Sequence, residues 1–207
     1  HKPVKVLFRR YKKSIITVIV LLVGASATYY IRITYIPTYI SQFMGTSCSS
    51  AFVVNTSVIA INLLLCPIVC LLIDKVGRRK CLIIGCLGFL ILSYPVFYVL
   101  IQQTNALLMI GLLGVLIVFQ TILAVAIVVV SAEVFPTKLR NSGIGFSYNI
   151  AAAVFGGLAP LAATALIAAT GDRLSITYLM IGSVLITLLT TIFLLKGYYV
   201  KGKNASS

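Results

Sequence analysis

The sequence contains very few acidic residues and almost no histidine. Asp74, Glu133 and Asp172 are its three acids, against 17 lysines and arginines, and His1 is its one histidine. None of these four residues lies in the middle of an apolar segment. The chain therefore has no histidine cluster, no paired carboxylates and no nucleophile beside a base, which are the usual groups of an active site. The sequence predicts neither an enzyme nor a cofactor.

Charge of either sign is also scarce. Only 10% of the residues are charged, 60% are hydrophobic and the mean hydropathy is +1.11, whereas soluble domains carry roughly 25% charged residues. A bilayer core about 30 Å thick needs about 20 apolar residues in a helix. The sequence therefore predicts an all-α, polytopic membrane protein, a bundle of six transmembrane helices at Ser14 to Gln42, Ala51 to Ile73, Cys81 to Gln102, Ala106 to Val130, Ser142 to Ala169 and Ser175 to Leu195.

The cysteines do not form a recognisable framework. There are five of them, an odd number, and only Cys48 is expected outside the membrane on the non-cytoplasmic side. Cys66 and Cys70 share a helix face, but no histidine or carboxylate accompanies them as a metal ligand would require. We expect no disulfide framework and no metal site, and we interpret these cysteines as small apolar residues.

The basic residues alternate between loops. They cluster before the first span, between the second and third, after the fourth and after the sixth, and the other loops are almost uncharged. This is the positive-inside pattern, so both termini are expected in the cytoplasm. The net charge of +14 is thus explained by the lipid bilayer as partner and not by nucleic acid. We expect a basic cytoplasmic linker at 1–13, the six helices at 14–195 and a cytoplasmic tail at 196–207.

Two cytoplasmic loops carry motifs. The first, CLLIDKVGRRK, places Asp74 at the end of a helix, Gly77 at a sharp turn, and Arg78 and Arg79 at the start of the next helix. A simple stop-transfer cluster explains the arginines but not the aspartate and glycine at these positions. The segment resembles the loop signature of the major facilitator superfamily, with Lys75 where that signature usually has arginine.

The second motif follows the fourth span. Glu133, Pro136, Thr137 and Arg140 resemble the E-x-x-P-T-x-x-R pattern at the end of the tenth helix of major facilitators. The continuation resembles the metabolite:proton symporters, on Tyr148, Asn149, Phe155, Gly156, Gly157 and Pro160. Thr28 to Ile40 is similar to the seventh helix of the proline/betaine members.

The resemblance implies one half of a twelve-helix major facilitator fold, a secondary active transporter that works by alternating access. It implies symport of a small metabolite with a proton, with proline or glycine betaine as the first expectation and α-ketoglutarate or citrate as the alternative. Sodium coupling stays open. An N-terminal six-helix half is expected to be missing, because the chain begins with His1, and the family points to a bacterial plasma membrane. A six-helix protein that dimerises and a non-transporting membrane sensor or scaffold are the competing interpretations.

The charged residues of both motifs are expected at the cytoplasmic helix ends. There, ion pairs that form and break as helices separate would make an inner gate. The alternative is a solvated ring of charges that only fixes the topology. The predicted gate consists of Asp74, Gly77, Arg78, Arg79, Glu133 and Arg140.

Arg32 is the one charged residue well inside a span, which makes it a functional candidate. Thr28, Arg32, Tyr35 and Tyr39 follow at helical spacing and form a polar stripe, expected to face a water-filled cavity. Arg32 would hold a substrate carboxylate and the tyrosine rings an ammonium. Alternatively, Arg32 extends to the outer interface.

Further uncharged polar side chains are candidates for the same cavity. Each is either a substrate contact or a hydrogen bond between helices. They are Asn55, Asn62, Gln120, Tyr148 and Asn149. Because no carboxylate lies in mid-span, a proton-carrying carboxylate is expected in the missing half.

Overall fold

Six helices of membrane-spanning length make up most of the part of the chain that the structure describes. A computed structural model describes residues 8–193, and its six long apolar helices confirm the six predicted spans. The predicted tail at 196–207, the end of the sixth span at Leu195 and residues 1–7 lie outside the described part. The helices are α1 Lys12–Phe43, α2 Cys48–Val76, α3 Arg78–Leu100, α4 Ala106–Val134, α5 Arg140–Thr170 and α6 Ser175–Phe193.

The helix ends follow from local sequence. Ser47 begins α2 by accepting the Ser50 N–H at 3.3 Å, and Asn105 begins α4 by accepting the Leu107 N–H at 2.9 Å. Both are side-chain caps of free N–H groups in the first helical turn. Gly77 is the single residue between α2 and α3 and has a φ of +96°, a conformation that glycine adopts without a steric penalty. The sharp turn predicted at Gly77 is therefore present.

Two helices contain a π-helical turn. It spans Ile31–Tyr35 in α1 and Ala152–Gly156 in α5, where Gly157 N–H bonds the Ala152 carbonyl at 2.8 Å. Pro37 and Pro160 follow these turns closely. A proline has no N–H and its ring collides with the carbonyl four residues earlier, so a locally wider turn relieves the crowding. Arg32 is thus carried by a turn that departs from α-helical register.

The helices pack in a pattern with internal symmetry. Helix α1 packs against α6, α5 and α4, helix α4 packs against α3 and α2, and α3 packs against α6. This set of pairs is unchanged when α1, α2 and α3 are exchanged with α4, α5 and α6. Because each triplet has an odd number of spans, the two triplets cross the membrane in opposite directions, as in inverted repeats of transporters. Helices α1 and α4 are the centre of the bundle.

Glycines allow the closest helix contacts. A Cβ on Gly85 of α3 would lie 2.9 Å from the Leu123 backbone nitrogen of α4. A Cβ on Gly24 of α1 would lie 2.9 Å from the Ser183 carbonyl oxygen of α6. Both distances are shorter than any comfortable contact, so close approach of these helices requires glycine. By contrast, α2 and α5 bury the smallest shares of their side chains.

Candidate functional site

The predicted gate residues lie at the end of the bundle that carries the basic loops. Arg78, the first residue of α3, forms an ion pair with Glu133 near the end of α4. The two side chains are 47% and 33% exposed, so solvent screens this pair and its contribution to stability is about 0–1 kcal/mol. Because α3 and α4 pack against each other along their length, the pair joins helices within one unit.

The remaining gate residues are placed around this pair. Arg79 donates from Nη2 to the Ile192 carbonyl of α6 at 3.4 Å. Arg140 is the first residue of α5, and its Nε is enclosed without a hydrogen-bond partner among the described residues. Asp74 is exposed and forms no ion pair within residues 8–193. The structure therefore brings together Arg78 and Glu133, whereas Asp74 and Arg140 keep free bonding capacity.

Arg32 lies at the centre of a hydrogen-bonded chain between α1 and α4. Its Nε donates to Gln120 Oε1 at 2.7 Å, and Gln120 Nε2 donates to Thr28 Oγ1 at 3.1 Å. Thr28 Oγ1 then donates to the Gly24 carbonyl of its own helix at 2.6 Å. The sequence places Thr28 and Arg32 in one polar stripe and makes Gln120 a candidate for the same region, and the structure joins the three by hydrogen bonds.

The polar stripe shares one side of α1, but that side faces into the bundle. Arg32 is 7% exposed, Tyr35 6%, and Thr28 and Tyr39 are fully covered. The structure thus corrects the expectation that this face looks into a water-filled cavity. It also contradicts the alternative in which Arg32 extends to the outer interface, since its Nε is bound at Gln120.

A small cavity of about 10 Å³ lies beside the Arg32 side chain. That is roughly the space for one water molecule. Its wall is otherwise mostly apolar and includes Phe89, Leu116 and Met180. Arg32 Nη1 is buried and has no partner among the described residues. The guanidinium is therefore only partly satisfied.

No acidic side chain of the described chain lies in this region. Asp74 and Glu133 are near the C-terminal ends of α2 and α4, and Asp172 is in the loop between α5 and α6. Besides Gln120, Arg32 has the ring of Tyr29 as an electrostatic partner, and the ring centroid lies 5.4 Å from Arg32 Cζ. A cation over an aromatic face is attracted to it. Tyr29 is not among the residues predicted from the sequence. It lies three residues before Arg32, which makes the two side chains neighbours on the helix surface.

The C-terminal end of α1 is held by the loop between α5 and α6. Tyr39 donates its hydroxyl to the Arg173 carbonyl at 2.8 Å, and Arg173 Nη1 donates to the Phe43 carbonyl at 2.8 Å. The Tyr39 ring also contacts Tyr35 and Phe97. In this arrangement Tyr39 is part of the packed core, and its ring faces are not open to an ammonium group.

The two asparagines of α2 form hydrogen bonds to neighbouring helices. Asn55 Nδ2 donates to the Ile33 carbonyl of α1 at 3.3 Å, and that carbonyl lies four residues before Pro37, which has no N–H to offer it. Asn62 Nδ2 donates to Thr121 Oγ1 of α4 at 2.7 Å. Thr121 is not among the predicted site residues, although it is polar and adjacent to Gln120.

Tyr148 and Asn149 occupy a different place. Both are exposed on α5, with Tyr148 47% exposed, and Asn149 Nδ2 donates to the Gly145 carbonyl one turn earlier at 2.7 Å. Among the described residues, no hydrogen bond joins either of them to Arg32 or Gln120. They belong to a helix that packs on α1 but leaves much of its surface uncovered.

These features define a multi-pass membrane protein with the architecture of half a major facilitator fold. The chain belongs to the sugar (and other) transporter family, whose model matches residues 1–199. This family and the relatives below are transporters and not enzymes. No solved structure matches the chain significantly.

Three curated relatives illustrate the match. A provisionally named proline/betaine transporter of Staphylococcus aureus (strain COL) is 30% identical over 96% of this chain and 44% of its own length. The citrate-proton symporter of Klebsiella pneumoniae is 31% identical over 82% of this chain and 38% of its own. The proline/betaine transporter of Escherichia coli (strain K12) is 26% identical over 87% and 36%. The chain thus spans less than half the length of these relatives.

Proposed function

We propose that this chain is the C-terminal half of a secondary active transporter that carries a small carboxylate-bearing metabolite by alternating access. Family membership supports transport. The substrate class is inferred from the buried Arg32. Its hydrogen-bond partner Gln120 is neutral, and within the described chain its Nη1 has no partner and no acid lies nearby. A charge in the membrane interior costs at least about 2.5 kcal/mol, so an external carboxylate as its counter-charge accounts for its presence.

The aromatic residues favour a zwitterion as the substrate. Tyr29 and Tyr148 are 43% and 47% exposed on α1 and α5, and their rings offer cation–π contacts to an ammonium. The buried Tyr35 and Tyr39 serve to pack this region. Proline or glycine betaine, which combine a carboxylate with a cationic nitrogen, is therefore the proposed substrate. Relatives in Staphylococcus aureus and Escherichia coli are named for the same two solutes.

The other predicted site residues take supporting roles in this proposal. Thr28 and Gln120 hold Arg32, and Asn55 and Asn62 keep α2 against α1 and α4. Asn149 joins Tyr148 on the exposed face of α5.

At the cytoplasmic end, Asp74 and Arg140 are proposed as the gate residues that meet the other half of the transporter. Gly77 and the ion pair of Arg78 with Glu133 keep the turn and the α3–α4 contact in place, and Arg79 ties α3 to α6. Rocking of the halves then makes and breaks contacts of Asp74 and Arg140 without disturbing α3 and α4.

The proposal also covers the coupling ion and the orientation of the segment in the membrane. Symport with a proton is proposed, with the proton-carrying carboxylate in an N-terminal six-helix half outside this chain. Both ends of this segment are placed in the cytoplasm of a bacterial plasma membrane, because the basic loops alternate with uncharged ones.

The test is uptake of labelled glycine betaine, proline, α-ketoglutarate and citrate by vesicles that contain the full-length protein, with and without an imposed pH gradient. Uptake of glycine betaine or proline that depends on the gradient is the expected result. Uptake of α-ketoglutarate or citrate alone would favour the second candidate, a carboxylate symporter. The 31% identity to a citrate-proton symporter supports this candidate. No uptake of any of the four would contradict both.

A further inference from the structure

Gln120 fixes the direction of the Arg32 guanidinium. Its Oε1 accepts from Arg32 Nε at 2.7 Å and its Nε2 donates to Thr28 Oγ1 at 3.1 Å. The Thr28 hydroxyl proton is already used on the Gly24 carbonyl, at 2.6 Å. Because a guanidinium can only donate, this sequence of donors permits one orientation of the Gln120 amide. Arg32 is thus held at one nitrogen by a side chain that is itself held.

The partner that holds Arg32 is electrically neutral. Gln120 is 4% exposed and Thr28 is fully covered, so no water-rich surface screens the positive charge between them. A glutamate at position 120 would have almost the same shape and would accept the same Nε–H, and it would also neutralise the charge. With glutamine there, the guanidinium is fixed in place, and among the described residues no acid compensates its charge and no group accepts from Nη1.

We propose that Gln120 is a positioning residue for carboxylate recognition. It binds Arg32 through Nε and reserves Nη1 and the net positive charge for the carboxylate of the transported solute. Because the cavity beside Arg32 holds only about one water molecule here, the carboxylate reaches Nη1 when the surrounding helices move apart during alternating access. Charge-assisted hydrogen bonds of guanidinium to carboxylate are the strong ones in proteins, and an internal acid at position 120 would compete for them. This inference rests on the proposed function and concerns its specificity.

The decisive variant is Gln120→Glu in the full-length protein, because it adds a negative charge at position 120 and keeps the size and shape of the side chain. We expect the KM for glycine betaine to rise at least about tenfold and the maximal rate to stay within about twofold, since an internal counter-ion already satisfies Arg32. We also expect an equal or higher melting temperature in detergent. A purely structural role predicts an unchanged KM, because glutamate keeps the bond to Nε.

The matched control is Gln102→Glu. Gln102 is exposed just beyond the outer end of α3, so the same chemical change there adds a charge far from Arg32. Its KM for glycine betaine should equal that of the wild type. A similar rise in both variants would overturn the proposal, because it would show a general effect of charge.

Thr28 provides a second test if Gln120→Glu does not reach the membrane folded. Thr28→Val keeps the side-chain shape and removes the acceptor of Gln120 Nε2, so the amide loses its fixed orientation and KM should rise several-fold. Thr28→Ser keeps the Oγ and should restore the wild-type KM. Equal KM values in the valine and serine variants would overturn the proposal.

The outcomes also separate this inference from the proposed function. If Arg32→Ala abolishes uptake of glycine betaine while Gln120→Glu leaves KM unchanged, the role of Gln120 is refuted and the substrate site stands. If Arg32→Ala leaves uptake unchanged, both are refuted. A higher melting temperature of Gln120→Glu with an unchanged KM would show that the new carboxylate pairs with Arg32 without affecting substrate binding, which also refutes the role of Gln120.

Discussion

Thr187 of α6 inserts its hydroxyl into the backbone of α1 beside Gly24. The Gly24 N–H donates to Thr187 Oγ1 at 2.9 Å, and the same hydroxyl donates to the Leu21 carbonyl at 3.0 Å. This contact exists only because Gly24 has no side chain, since a Cβ there would lie 2.7 Å from Thr187 Oγ1. It holds the N-terminal half of α1 against α6, on the same helix that carries Arg32.

Gly24→Ala is therefore expected to destabilise the protein. The added methyl group meets the Ser183 carbonyl and the Val184 Cα at 2.9 Å, and the resulting overpacking should cost about 1–3 kcal/mol. The measurement is the melting temperature of the full-length protein in detergent. Gly111→Ala is the matched control, because a Cβ at Gly111 meets no atom within 4 Å. Equal melting temperatures of the two variants would contradict the packing described for α1 and α6.

The ion pair of Arg78 with Glu133 is expected to be weak, and a variant in which the two residues are swapped should form it again. Arg78→Glu and Glu133→Arg each place like charges together and should cost about 1 kcal/mol or less, given 47% and 33% exposure. The double variant should recover most of this loss, as seen in the melting temperature. If the double variant is as unstable as the sum of the singles, the pair is not formed in the protein in solution.

Tyr39→Phe tests the attachment of the α5–α6 loop to α1. Loss of the hydroxyl leaves the Arg173 carbonyl without this donor, so the free energy of unfolding should fall by about 1 kcal/mol. Tyr98→Phe is the control, because Tyr98 is 51% exposed near the C-terminal end of α3. A fall of the same size in both variants would argue against a specific role of the Tyr39 hydroxyl.

The proposed orientation is open to cysteine labelling. Cys48 is exposed at the start of α2, on the side away from the basic loops, so a membrane-impermeant maleimide should label it in intact cells. Lys138→Cys in a Cys48→Ser background places a thiol in the α4–α5 loop, where labelling should require permeabilised cells. Labelling of position 138 in intact cells would reverse the proposed topology.

The sequence predicts the helices of this protein better than their faces. Each span is a long apolar segment, and apolar length alone is enough to predict a membrane helix. Likewise, Gly77 was identifiable because only a glycine allows the positive φ of such a tight turn.

The environment of Arg32 was harder to predict. Helical spacing placed it with Thr28 on one face, but whether that face meets lipid, water or protein depends on close packing of other helices, which glycines such as Gly85 permit. The π-helical turn at Ile31–Tyr35 also changes the register after Arg32, so a constant 100° per residue no longer applies. The contacts with Gln120 and Tyr29 depend on these tertiary features.

The most direct test of the substrate site is uptake of labelled glycine betaine by vesicles with wild-type protein, Arg32→Ala or Arg32→Lys at equal protein levels. We expect Arg32→Ala to lower kcat/KM at least about 30-fold, because it removes one partner of a buried charge pair. Arg32→Lys should retain part of the activity. Choline, which has the ammonium but no carboxylate, should not compete. Unchanged uptake by Arg32→Ala, or equal competition by choline, would contradict a carboxylate site at Arg32.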